Sequence, residues 1–152
     1  MIKAIYFDKP PNANWIVPWH QDLTIVTDRR IELEGFSKWR LKNQKHYVQP
    51  TKEILENIVT IRIHLDDCNR SNGALKVISG SHRNGINQKL DFDKEKSVIC
   101  EVKCGGILLM KPLLYHASKR TENNKNRRVI HLEFASKALP NGINYEERID
   151  FM

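Results

Sequence analysis

Cysteine is scarce in this chain: Cys68, Cys100 and Cys104 are the only three among 152 residues, and none forms a C-x-x-C pair. That excludes a disulfide scaffold, a zinc knuckle and a dithiol redox centre, and it reads as reduced thiols in a cytoplasmic protein. Long apolar runs are also missing, since none approaches the roughly 18 uninterrupted residues that a membrane-spanning helix requires. Lys3, Asp8 and Lys9 break the short apolar start, so a signal peptide is not expected. Repeats, low-complexity tracts and linkers are absent, and one domain over residues 1–152 is expected, large enough to bury roughly 68 to 70% of its unfolded surface. Helical periodicity is nearly absent as well. It is confined to the stretch after Pro50, where Thr51 can cap and Ile54, Leu55 and Ile58 form a stripe.

Charge of one sign is in excess, with a net +7 and a pI of about 9.4. Clustered cations neutralise nucleic-acid phosphates, but here the basic residues are spread along the whole chain. The one dense group, Lys119, Arg120, Lys125, Arg127 and Arg128, is interleaved with Glu122 and uncharged polar residues, as in a solvated hairpin loop. Attraction for small anions explains the charge at least as well, and nucleic-acid binding is not expected.

What is present is a series of short strands divided by turns. Residues 2–7, 15–20 and 23–27 read as strands, with Pro10, Pro11, Asn12 and Asn14 turning the chain after the first and Pro18 marking an edge or bulge in the second. In "IVTIRIHLDD", Val59, Ile61, Ile63 and Leu65 alternate with Thr60, Arg62 and His64, a strong strand pattern. Asn72-Gly73 suits a tight turn opening a strand at 74–78, and further strands follow at 97–102, 106–110 and 127–135. About eight short strands and one short helix argue for an all-β fold, a sandwich or barrel, and eight suits a jelly roll such as the cupin-like double-stranded β-helix.

The stretch "VPWHQD" sets an imidazole and a carboxylate two residues apart. In a strand His20 and Asp22 share one face, and Gln21 points elsewhere. His116, expected to close an apolar strand over residues 107–115 at the barrel mouth, is the best-placed third ligand. Two histidines and one carboxylate on one face of an octahedron leave three open positions, as in non-haem Fe(II) oxygenases. A 2-oxo acid can take two of them and O2 the last, which a closed four-ligand zinc site does not allow. Arg127 lies eleven residues after His116, where a hairpin would return it to the same mouth, and its guanidinium fork matches a carboxylate. Strand alternation places Arg127, Val129 and His131 on one face and Arg128, Ile130 and Leu132 on the other, so a single arginine serves. His64 is expected to be structural, His82 to pin a turn and Trp15 and Trp19 to pack, and no function is assigned to His46 or His131. Asp91, Asp93 and Glu95 have calcium-loop spacing, but the sixth-position glycine is missing and Val102 stands where the bidentate glutamate belongs.

Taken together, "NWIVPWHQDLT", "IRIHLDDCNRSNGALKVISGSH" and "LYHASKRTENNKNRRVIHLEFA" resemble the phytanoyl-CoA dioxygenase family of Fe(II)- and 2-oxoglutarate-dependent oxygenases, over residues 2–135. The resemblance implies that His20, Asp22 and His116 hold iron and that Arg127 pairs with the distal carboxylate of 2-oxoglutarate. It also implies that Gln21 and Ser118 hydrogen-bond the cosubstrate and that Trp39 lines its pocket, with O2 and a small-molecule or acyl-CoA-like substrate as partners. Family members carry a partly helical N-terminal segment on the outside of the barrel. Here Met1 falls where the first barrel strand begins, so a minimal member or a fragment is expected, with an uncovered outer sheet that favours self-association. A cupin-like metal-binding module, or a truncated inactive member without 2-oxoglutarate turnover, is the alternative.

Overall fold

The alternation seen in the sequence becomes the pleat of a β-sheet, with its polar side turned inward. In the computed structural model, residues 1–11, 15–87 and 92–150 are described. Asn12 and Asn14 of the expected first turn, and Asp91, lie outside them. The strands are β1 (Lys3–Lys9), β2 (Val17–His20), β3 (Ile25–Thr27), β4 (Ser37–Lys42), β5 (Lys45–Gln49), β6 (Ile58–His64), β7 (Leu75–Val77), β8 (Val98–Cys100), β9 (Ile107–Met110), β10 (His116–Ser118) and β11 (Arg127–Ala135), with one short helix, α1 (Lys52–Glu56). Among the described residues, no helix is long and apolar enough to cross a membrane.

Two four-stranded antiparallel sheets, ordered β1-β11-β6-β9 and β2-β10-β7-β8, form the double-stranded β-helix. The chain passes repeatedly from one sheet to the other, and both contribute to the wall of a single cavity. A third sheet, β3-β5-β4, packs at one end with α1 and the C-terminal segment. There Ile25, Val48, Leu55, Ile58, Leu113, Ile143 and Tyr145 make the main apolar core.

The inner face of the first sheet is largely polar. Thr60, Arg62 and His64 on β6 and Arg127, His131 and Glu133 on β11 are all buried. The outer face is apolar: Tyr6 pairs with Ile130, Ile130 with Ile63 and Ile63 with Ile107 in one row, and Leu132, Ile61 and Leu109 continue the next. Tyr6, Ile107 and Leu109 are exposed on this face.

Three features depart from the strand pattern read in the sequence. The β4–β5 hairpin is additional, and it turns through Asn43 and Gln44, both with positive φ, as a two-residue hairpin loop requires. It escapes sequence reading because "SKWRLK" is charged and mostly exposed, and glutamine is no turn signal. The apolar run over residues 107–115 is not one strand. It stops at Met110, turns through Lys111–Leu114 with Leu114 N–H donating to Lys111 O at 3.0 Å, and resumes as β10. Pro112 lacks the donor that a continuing ladder needs. His116 therefore opens a strand instead of closing one. Finally, β10 and β11 belong to different sheets, so Arg127 reaches the site by crossing the barrel and not by folding back in a hairpin.

Asn72-Gly73 forms the expected turn, with Gly73 at φ +75°. A Cβ there would sit 2.5 Å from the Lys119 carbonyl oxygen, a backbone atom that cannot swing aside. Gly73→Ala is expected to cost about 1–3 kcal/mol, read as a lower thermal midpoint; an unchanged midpoint would show that the loop relaxes freely.

Candidate metal centre and its cavity

His20 is the last residue of β2 and His116 the first of β10, and the two are register partners. Between this pair and Ser118↔Val17 the register shifts, the bulge that Pro18 signals on an edge strand. Just past β2, Asp22 N–H donates to Pro112 O at 2.9 Å, which holds the aspartate against the 111–114 turn beside both imidazoles. His20 Nδ1 lies 2.8 Å from Pro18 O and His116 Nδ1 lies 2.8 Å from Leu114 O. A carbonyl only accepts, so both rings carry their hydrogen on Nδ1 and present Nε2 lone pairs. Those nitrogens face Asp22, at 3.5 Å from Oδ1 for His20 and 3.6 Å from Oδ2 for His116.

One ligand atom from each of the three residues lies within 4.8 Å of the others. Two imidazole lone pairs aimed at a carboxylate are electrostatically unfavourable without a proton or a cation between them. Backbone carbonyls that fix the far nitrogens are the outer support typical of metal-binding histidines. The donor set and its orientation thus fit a divalent transition metal.

The proton chemistry agrees. Protonation of Nε2 lets His20 donate to Asp22, which raises His20 above its ordinary pKa against the pull of burial, while burial lowers His116. Burial pushes Asp22 upward, but once protonated at acid pH His20 donates a hydrogen bond to it and His116 and His20 add positive charge beside it, which outweighs burial and brings it to about 2. Asp22 is therefore ionised throughout the working range, and the proton that competes with a metal is that on His20. Metal affinity is expected to fall as pH drops through the raised His20 value, by about tenfold per pH unit for one displaced proton. Titration of metal into protein at pH 7.5 and 5.5 checks this; equal affinities would contradict it.

The three residues open onto a cavity of about 170 Å³ whose wall includes Arg62, Ser118, Arg127 and His131, with Phe7, Val17 and Leu75 as apolar lining. Arg127 is 5% exposed and sits against the Cys68 thiol, and burial holds its pKa below the usual value. Among the described residues its Nε and the Ser118 hydroxyl have no hydrogen-bond partner. Arg128, on the opposite face, bonds Asp66 through Nε at 2.9 Å and a terminal nitrogen at 2.6 Å. Opposite Arg127 in register, fully buried Lys9 donates to Lys119 O and lies over Trp15, and burial brings its pKa down to about 8.

His20, Asp22, His116, Ser118 and Arg127 thus meet at one cavity. Gln21 does not join them: its Nε2 donates to Gly85 O at 2.8 Å and Leu113 O at 2.7 Å, and its Oε1 accepts from Asn87 N–H at 2.9 Å. The alternation that aims its neighbours inward turns Gln21 to the loops behind. Trp39 lies on β4 in the third sheet, stacked with Phe36 at 6.4 Å and packed on the apolar core, away from the cavity wall. Arg62 and His131 line the cavity without having been singled out. The available signal was the face shared by Arg127 and His131, and the polar side of "IVTIRIH".

The family model for phytanoyl-CoA dioxygenase (PhyH) matches residues 1–129. No curated protein matches the sequence. Among solved structures, the non-heme monooxygenase ThoJ in its apo form superposes with a TM-score of 0.63 at 17% identity, covering 87% of this chain and 44% of its own. AviO1 from Streptomyces viridochromogenes Tue57 gives 0.57 at 24% identity, covering 90% and 51%. EvdO2 from Micromonospora carbonacea var. aurantiaca, complexed with 2-oxoglutarate, gives 0.57 at 20% identity, covering 88% and 52%. These likenesses concern the fold, and the chain spans about half the length of the structures it resembles.

Proposed function

The chain belongs to the phytanoyl-CoA dioxygenase family, and on that premise we propose that it is an Fe(II)- and 2-oxoglutarate-dependent dioxygenase that hydroxylates a small-molecule or acyl-CoA-like substrate. The observation that carries this reading is the convergence of His20 Nε2, His116 Nε2 and the Asp22 carboxylate at the wall of a cavity that also holds Arg127.

In this reading His20, Asp22 and His116 hold the iron. When bound, Fe(II) would supply the redox chemistry by which O2, 2-oxoglutarate and the substrate become succinate, CO2 and hydroxylated substrate. The Pro18 and Leu114 carbonyls keep both imidazoles turned toward the metal. Arg127 receives the distal carboxylate through two charge-assisted hydrogen bonds, and Ser118 donates beside it. Phe7, Val17 and Leu75 exclude water, which strengthens each of these polar contacts. The net charge of +7 suits an anionic substrate.

Succinate formation tests the reading: protein incubated with Fe(II), ascorbate, O2 and 2-oxoglutarate is expected to release succinate above the protein-free rate, and more with a substrate present. A cupin-like metal-binding module would bind the metal and leave 2-oxoglutarate intact.

A further inference from the structure

The cavity wall carries two guanidiniums where the proposed cosubstrate role uses one. Arg62 on β6 is 6% exposed, and Arg127 on β11 is 5% exposed. Among the described residues neither has a carboxylate within ion-pair distance, and the Nε of each is buried without a hydrogen-bond partner. Asp22, a proposed metal ligand, is the single acid on the wall among the described residues. A buried charge without an opposite charge is costly unless a ligand supplies one.

Arg62 is also held in place from behind. Its terminal nitrogen lies 3.0 Å from His131 Nδ1. Arginine has no acceptor, so His131 Nδ1 accepts and its hydrogen resides on Nε2, which lies 3.0 Å from Glu133 Oε1. Lys3 completes the row at 3.6 Å from Glu133. The Phe7 ring lies beneath the guanidinium, 5.4 Å from ring centre to Cζ. This relay occupies one terminal nitrogen and leaves the remaining donors, Nε among them, without an acid.

Register gives the distance between the two arginines. Arg62 is opposite His131, four residues from Arg127 along β11. At about 3.4 Å per residue, plus one strand spacing across, their backbones stand roughly 14 Å apart on one inner face. Two long side chains rooted that far apart border one cavity and can approach it from its two ends. Both guanidiniums thus border the same cavity as the three candidate metal ligands, so one dicarboxylate lying along it meets Arg127 at one end and Arg62 at the other.

We propose that Arg62 is a second carboxylate anchor, so that a dicarboxylate is gripped at both ends, by Arg127 at the distal end and by Arg62 at the end that carries the 2-oxo group. The inference rests on the 2-oxoglutarate reading above. His131 and Glu133 are positioning residues that aim Arg62. The primary substrate then approaches from outside, at the rim where Trp15 is 37% exposed.

Glutarate lacks the 2-oxo group and reports on the arginines without a metal; butyrate is its one-carboxylate counterpart. Calorimetric titration of metal-free protein is expected to show glutarate binding at least tenfold more tightly than butyrate. Arg62→Met should abolish that preference and leave butyrate affinity within twofold. The wild-type comparison needs no variant, so a poorly folding mutant cannot shield the claim. Equal affinities for the two acids in wild type, or a full glutarate preference in Arg62→Met, would overturn it. If Arg127→Met loses the preference while Arg62→Met keeps it, the second anchor is wrong and the oxygenase reading stands, since succinate formation reports on that reading separately.

Discussion

Arg127→Ala is expected to weaken 2-oxoglutarate binding by roughly a hundredfold to ten-thousandfold, whereas Arg128→Ala leaves it within about twofold. Two charge-assisted hydrogen bonds to a carboxylate, at roughly 1.5–3 kcal/mol each, sum to about 3–6 kcal/mol, and every 1.4 kcal/mol is about a factor of ten. The two neighbours differ because the pleat separates them. Arg127 is buried at the cavity with an unpartnered Nε, while Arg128 faces outward and is already bonded to Asp66. Calorimetry of 2-oxoglutarate into anaerobic, Fe(II)-loaded protein measures both. A larger loss for Arg128→Ala would mean that the wrong face of β11 has been assigned.

His116→Ala is expected to remove stable metal binding. Loss of an outer hydrogen-bond partner alone lowers metal affinity by roughly 10–100-fold, and deleting a ligand removes a coordinate bond as well. His116 is buried and already turned by Leu114 O, and its removal leaves two of the three converging donor groups, His20 and Asp22. Metal content after dialysis, measured by atomic emission, is the readout, with wild type near one ion per chain and the variant near none. Gln21→Ala is the informative control. It strips partners from Gly85 O, Leu113 O and Asn87 N–H and should lower the thermal midpoint, yet it should keep the metal.

Much of the site was legible because strands carry it. A two-residue spacing in an extended chain forces His20 and Asp22 to one side, and the same rule separates Arg127 from Arg128 and gives Arg127 and His131 a common face. The jelly roll was legible from strict alternation and from Asn72-Gly73. Which side of an alternating strand faces inward was not. "IVTIRIH" buries Thr60, Arg62 and His64 and turns Val59, Ile61 and Ile63 outward, against the usual sense of hydrophobic burial, because this barrel encloses a polar cavity. Arg62 was overlooked for that reason. Gln21 and Trp39 were placed at the pocket by resemblance alone, and local geometry decides otherwise: the pleat turns one to the loops, and the hairpin around Asn43 and Gln44 carries the other to a third sheet. The route of Arg127 across the barrel was also hidden, since strand pairing between sheets is a long-range fact that no local pattern records.

The most direct measurement is an anaerobic titration of the purified protein with Fe(II) and then 2-oxoglutarate, followed by visible absorption. A weak metal-to-ligand charge-transfer band is expected in wild type, absent before the 2-oxo acid is added and absent in His116→Ala. No band in wild type, or an undiminished band in His116→Ala, would contradict a metal centre built from His20, Asp22 and His116.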